Sequence, residues 1–300
     1  MSDISPIQNA VAECVRSVRE AEKLRKQREE AELKQYMNAE HQRIMAANAN
    51  RTEADKLMLQ NIMQVDKVLA LCDKQMRKEA QAATNLEDAK VFALHARLLV
   101  HIADNIVLAH QNRRFVVDDN NRKLLRFLLY YFNNCELAEE VFPDRGYKLH
   151  KHLMLRGEVG TGKTLLMQIF SQYLRYIEHP NQFYNLSVTQ MVNYYTLHNN
   201  LDRYTYNEEE NKGFMCTPVN ICLNDIGVDS VTFYGMDTKL LTNQFLHARN
   251  EIWVQWHKFA HVTTNLTTKQ LQEEYKDGFG RLLDRFKTYN IIPVEGKSRR

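Results

Sequence analysis

Residues 152–170 read HLMLRGEVGTGKTLLMQIF, an apolar run, a glycine-rich turn and a second apolar run. Inside it Gly157, Gly162, Lys163 and Thr164 fit G-x-x-x-x-G-K-T, in the strand-then-helix setting the pattern requires. Glycines let the backbone of Gly157, Glu158, Val159, Gly160, Thr161 and Gly162, continuing into Leu165, fold its N–H groups around phosphates. They do so at a helix N-terminus, where the partial positive charge favours anions. Lys163 is placed to reach the outer phosphates of a nucleoside triphosphate, and the Thr164 hydroxyl to ligate Mg2+. Such a site needs acids from another strand, and the candidate is CLNDIG at residues 222–227. There Asn224 and Asp225 stand where two carboxylates are usual, one for the metal and one for the attacking water. Two registers are open. In one, Asn224 replaces the metal acid and Asp225 activates water; in the other, Asp225 takes the metal and Ile226 stands in the second acid's place. Either way one carboxylate is missing. An amide oxygen can hold a metal-bound water without helping to neutralise the triphosphate, so binding should survive better than hydrolysis.

The elements that position these residues are legible from glycine and proline. Neither occurs between Pro6 and Pro143, and all ten glycines lie from Gly146 onward, so the first half reads as helix. Its opening, residues 15–45, alternates charges like a solvated helix or loose coiled-coil arm. Thr52, with Asp55 three residues on, looks like an N-cap. Met58, Ile62, Val65, Leu69, Cys72 and Met76 then form an apolar stripe at helical spacing. A further helix is expected from about Leu86 to His110, with Val91, Leu98, Ile102 and Ile106 along one side, and the first-half helices are expected to pack as a small bundle. From Phe115 the chain alternates strands and helices, with strands at His152–Arg156, Phe183–Leu186, Val219–Leu223, Ala260–Thr264 and Tyr289–Val294. The expected fold is α/β, a P-loop domain with a five-stranded parallel sheet over 113–300, preceded by an all-helical region over 1–112.

Taken together, the P-loop, LNDIGV, TTNL, GRLLDRF and the ending GKSRR resemble the AAA+ ATPases of the DnaC and IstB kind: bacterial and phage helicase loaders, and ATP-binding helpers of certain transposases. The resemblance covers about Phe115 to Arg300. It implies ATP and Mg2+ at a site shared between subunits of a homo-oligomer, with Gly157, Gly160, Gly162, Lys163 and Thr164 as the phosphate loop and Asp225 as the second of the paired acids. It makes Asn265 a sensor, Arg281 an arginine finger acting in trans, and Arg300, or Arg299 beside it, a sensor of the γ phosphate, with a helical lid minimal or absent. Loading a replicative helicase onto single-stranded DNA with slow ATP hydrolysis is the leading expectation. An IstB-like helper on duplex DNA serving a transposase, and a nucleotide-gated adaptor without DNA, are the alternatives.

Composition narrows the field elsewhere. No run of about 18 apolar residues occurs, and the N-terminus lacks a signal-peptide pattern, so a cytoplasmic protein without a membrane partner is expected, and the resemblance implies a bacterial or phage origin. Five scattered cysteines fit free thiols and offer no zinc pattern. A net charge of +3 permits nucleic-acid contact without arguing for it.

Overall fold

The computed structural model describes residues 52–206, 218–227, 232–233, 236–275, 284–296 and 298, with isolated positions between 27 and 46. Chain contacts divide it into two units, Met1–Asp73 and Lys74–Arg300.

In the first unit, the described backbone is the start of helix α1 (Glu53–Ala82). Thr52 caps it as expected: its Oγ1 accepts the Asp55 N–H at 3.2 Å, and the Asp55 carboxylate accepts the Thr52 N–H at 3.2 Å. The apolar stripe does not close into a bundle among the described residues, since Met58, Ile62, Val65 and Leu69 are exposed by about half or more. The charged arm before it lies mostly outside the described residues.

The second unit is a three-layer α/β sandwich. Helix α2 (Ala89–Gln111), capped by Asp88, leads to α3 (Asp119–Phe132) and the short α4 (Leu137–Val141). Then come β1 (His152–Arg156), α5 (Lys163–Tyr176), β2 (Phe183–Ser187) and α6 (Val188–His198). These lead to β3 (Asn220–Ile226), a small hairpin of β4 (Thr232–Phe233) and β5 (Met236–Asp237), and α7 (Thr238–Trp256). The chain closes with β6 (Ala260–Thr264), α8 (Thr268–Glu274) and β7 (Tyr289–Pro293). The main sheet runs β2-β3-β6-β1-β7 and every pairing in it is parallel. The central strands β3, β6 and β1 are buried along almost their whole length, as in a sheet covered on both faces, while the edge strands β2 and β7 alternate buried with more open positions. Leu153, Leu155 and Cys222 face a core shared with α2, α3 and α5, while Met154, Ile221 and Leu223 face the opposite core with α6 and α7.

The boundary expected at residue 112 does not match the packing. Helix α2 places Leu98, Leu99 and Ile102 in one cluster with Phe170 and Tyr173 of α5. The His95 ring sits 2.6 Å from the Tyr173 hydroxyl and 2.7 Å from the Ala83 carbonyl, and burial lowers its pKa. Long and apolar enough to cross a membrane by composition alone, α2 is here a core helix of the sandwich.

Candidate nucleotide site

The site forms where the C-terminal ends of β1, β6 and β3 stand side by side. β1 gives way to the glycine loop at Gly157, whose N–H donates to the Thr264 carbonyl of β6 at 3.2 Å. Gly160 and Gly162 have φ of +86° and +92°, a region side chains resist, and their glycine identities let the loop turn back into α5. Thr161 is buried and its hydroxyl donates to the Glu158 carbonyl at 2.9 Å, while Val159 is exposed at the loop's tip. Gly162 caps α5 with no side chain of its own, and the first turn that follows carries the N–H groups of Lys163, Thr164 and Leu165. That is the donor set an anion needs. The buried Lys163 ammonium donates to the carbonyls of Gly157 and Glu158, both at 2.8 Å.

Opposite the loop, β3 carries a bulge. Leu223 pairs with Val262 and Ile226 with Thr264, so Asn224 and Asp225 together face the single residue Thr263. The extra residue turns the end of the strand to a new direction. Asp225 takes φ of +62°, a left-handed conformation tolerated by aspartate better than by most residues. Its N–H donates to Thr263 Oγ1 at 2.9 Å, and its carboxylate accepts from Thr164 Oγ1 at the long distance of 3.5 Å. Asn224 turns the other way: it is buried, and its amide donates to Asn185 Oδ1 at 3.2 Å and to the Leu186 carbonyl at 3.4 Å. Of the two registers left open, the geometry matches the second, with Asp225 beside the Thr164 hydroxyl and the buried Ile226 next in line. The expectation that Asn224 touches the metal is corrected accordingly, and the bulge is the physical reason.

Asn265 is exposed just past the end of β6, the strand that stands between β1 and β3. Arg281, Arg299 and Arg300 lie outside the described residues. Three residues beside the site escaped sequence reasoning. Thr263 fixes the Asp225 backbone, and its only signal was a second hydroxyl beside Thr264 in the buried strand AHVTT. Ser298 lies against the loop: a Cβ added to Gly160 would come within 2.4 Å of its Oγ. Val294 reaches the same loop, donating its N–H to the Arg156 carbonyl at 2.7 Å, and a Cβ on Gly157 would meet its carbonyl oxygen at 2.2 Å.

These residues fit a magnesium triphosphate. Uncapped helix N–H groups and a lysine suit phosphate, while one hydroxyl and one carboxylate suit a cation that keeps most of its shell from water and phosphate. Among the described residues no three His, Cys, Asp or Glu side chains gather as an all-protein metal cluster.

No family model matches the chain, and no curated protein matches it. Among solved structures it is similar to AMPPCP-bound DnaA from Aquifex aeolicus, at 19% identity and a TM-score of 0.38 over 60% of this chain and 48% of that one. It is similar also to domain III of the Thermotoga maritima replication initiation protein DnaA, at 18% identity and a TM-score of 0.40 over 60% of this chain and 65% of that one. The chain thus spans less than two thirds of each.

Proposed function

We propose that the chain is an ATP-binding switch of the AAA+ type that loads a replicative helicase onto single-stranded DNA and hydrolyses ATP slowly. The observation that carries this reading is the pairing of an intact phosphate loop with one carboxylate, Asp225, at the Thr164 hydroxyl. Bound Mg2+-ATP supplies a γ-phosphoryl group open to attack by water. The loop N–H groups and Lys163 bind the phosphates, and Thr164 with Asp225 holds the metal. Ile226, buried and aliphatic, cannot orient or deprotonate the water as a second acid would. Turnover is therefore slow while binding is intact, which suits a protein whose nucleotide holds subunits in one arrangement until a partner resets them.

The loader role rests on the resemblance of the motifs to the DnaC and IstB kind. The exposed apolar stripe of α1 supports it, being suited to a partner protein. Subunits are joined in this reading through Arg281 supplied in trans.

Light scattering, run without nucleotide and with ATP, each with and without single-stranded DNA, tests the proposal. ATP-dependent assembly that disappears in Lys163→Ala is the expected result. A monomer under all four conditions overturns it, and assembly on duplex in preference to single-stranded DNA turns the reading toward the transposase helper.

A further inference from the structure

A second cavity lies at the free edge of the sheet, on β2 and away from the loop-bearing β1. It measures about 510 Å³ and is lined by β2, α6, the turn at 202–204 and the start of β3. Three tyrosines build its walls. Tyr184 projects from β2 and is 56% exposed, a large ring held in water. Tyr194 stacks on His198 with centroids 4.3 Å apart and rings 24° from parallel, and Tyr204 meets Tyr194 edge-on at 4.9 Å. This stack fixes the far wall, so a flat guest meets a preformed surface.

The polar groups, besides the tyrosine hydroxyls, are amides, a histidine and one cation. Gln190 uses its amide oxygen to accept the Ser187 N–H at 2.9 Å, which leaves its NH2 as a donor, and Asn193 is exposed on the next turn of α6. Arg203 adds an exposed cation at the rim. Among the described residues that line the cavity, none carries a carboxylate. Rings for stacking, neutral amides for the edge of a heterocycle and a cation for a phosphate make up the chemistry that captures an unstacked base.

We propose that this pocket binds a base of single-stranded nucleic acid, with Tyr184 as the stacking platform and Arg203 on the adjoining phosphate. The assignment deepens the loader reading and rests on it for the choice of a nucleic-acid polymer. It gives that polymer a place on the edge strand, apart from the triphosphate site.

Fluorescence anisotropy of the full chain, without nucleotide, with a labelled oligothymidylate and an abasic oligomer of equal length tests it. Tyr184→Ala is expected to weaken oligothymidylate binding by about 5- to 100-fold, the loss of one stack, while leaving the abasic oligomer and a fluorescent ATP analogue bound as in the wild type. Arg203→Gln is expected to weaken both oligomers and to lower the salt slope by about one. Equal binding by Tyr184→Ala and wild type overturns the proposal, as does wild-type binding of the abasic oligomer as tightly as the thymidylate, or of neither. A Tyr184→Ala variant with normal oligomer binding but impaired ATP-driven assembly assigns the pocket to a protein neighbour instead. Failure of the wild type to assemble with ATP counts against the loader reading alone, because the anisotropy measurement needs no nucleotide.

Discussion

Thr164 Oγ1, in the first turn of α5 after β1, and the Asp225 carboxylate of β3 meet at 3.5 Å although β6 stands between β1 and β3. The bulge at Asn224 and Asp225 makes that reach possible. Asp225→Asn is therefore expected to lower both the magnesium dependence of nucleotide binding and the residual ATPase rate by about 10- to 100-fold. A magnesium titration with a fluorescent ATP analogue, alongside steady-state turnover, checks this, and an unchanged midpoint contradicts the assignment.

Restoring the missing acid at the neighbouring position should not help. Asn224→Asp places a carboxylate against Asn185 Oδ1 and the Leu186 carbonyl, two acceptors that an amide can serve and a carboxylate cannot. The expected outcome is no gain in ATPase rate and a loss of about 1–3 kcal/mol in stability, measured by urea unfolding. A severalfold rise in turnover would mean that Asn224 does reach the metal.

The phosphate loop and four of the five sheet strands were legible in the sequence to within a residue, because the glycine spacing and the short apolar runs carry their own physics. β3 was read three residues short, ending at Leu223 where the strand continues to Ile226. Its last residues are polar and bulged, so they look like a loop, and a positive φ at an aspartate leaves no mark in the order of residues. The direction of Asn224 was illegible for the same reason. Helix α2 was placed correctly but joined to the wrong unit, since its apolar side shows that it packs and not against what.

Two histidines underlie a pH dependence. His152 Nδ1 accepts the Ala260 N–H at 3.2 Å and His261 Nδ1 accepts the Leu153 N–H at 3.1 Å, so each ring serves the other's strand only while neutral. Burial, then the charge of Arg249, lowers the His152 pKa to about 3; burial, then His152 and Arg249, drives that of His261 well below its usual value. Below pH about 6.5 the unfolded chain takes up protons that the folded chain refuses. Stability is thus present above that pH and is lost as pH falls toward 3, by about 2 kcal/mol for His152 between pH 7 and pH 5, with His261 adding in the same direction. Urea midpoints at the two pH values check this, and His152→Gln should remove its share of the difference.

Arg249 of α7 is a structural cation. It is 1% exposed and donates to the carbonyls of Val219 at 2.8 Å, Phe259 at 2.9 Å and Tyr204 at 3.4 Å, tying the entrances of β3 and β6 to the helix above them. Burial lowers its pKa to about 10, still far above neutrality. Arg249→Ala strips these carbonyls of their donor and should cost about 3 kcal/mol or more, seen as a lower thermal midpoint with or without nucleotide.

Gly157 is pinned from two sides, by the Thr264 carbonyl that accepts its N–H and by the Val294 carbonyl packed against its α-carbon. The strands on both sides of β1 therefore hold the start of the loop before any ligand arrives. Part of the entropy of ordering this backbone is settled when the chain folds, and the free energy of phosphate binding is not discounted by it. A receptor prepared in this way can hold its nucleotide for long periods without chemistry to lock it in. Under the proposed function, retention, set by the release rate, is then the quantity that times the switch.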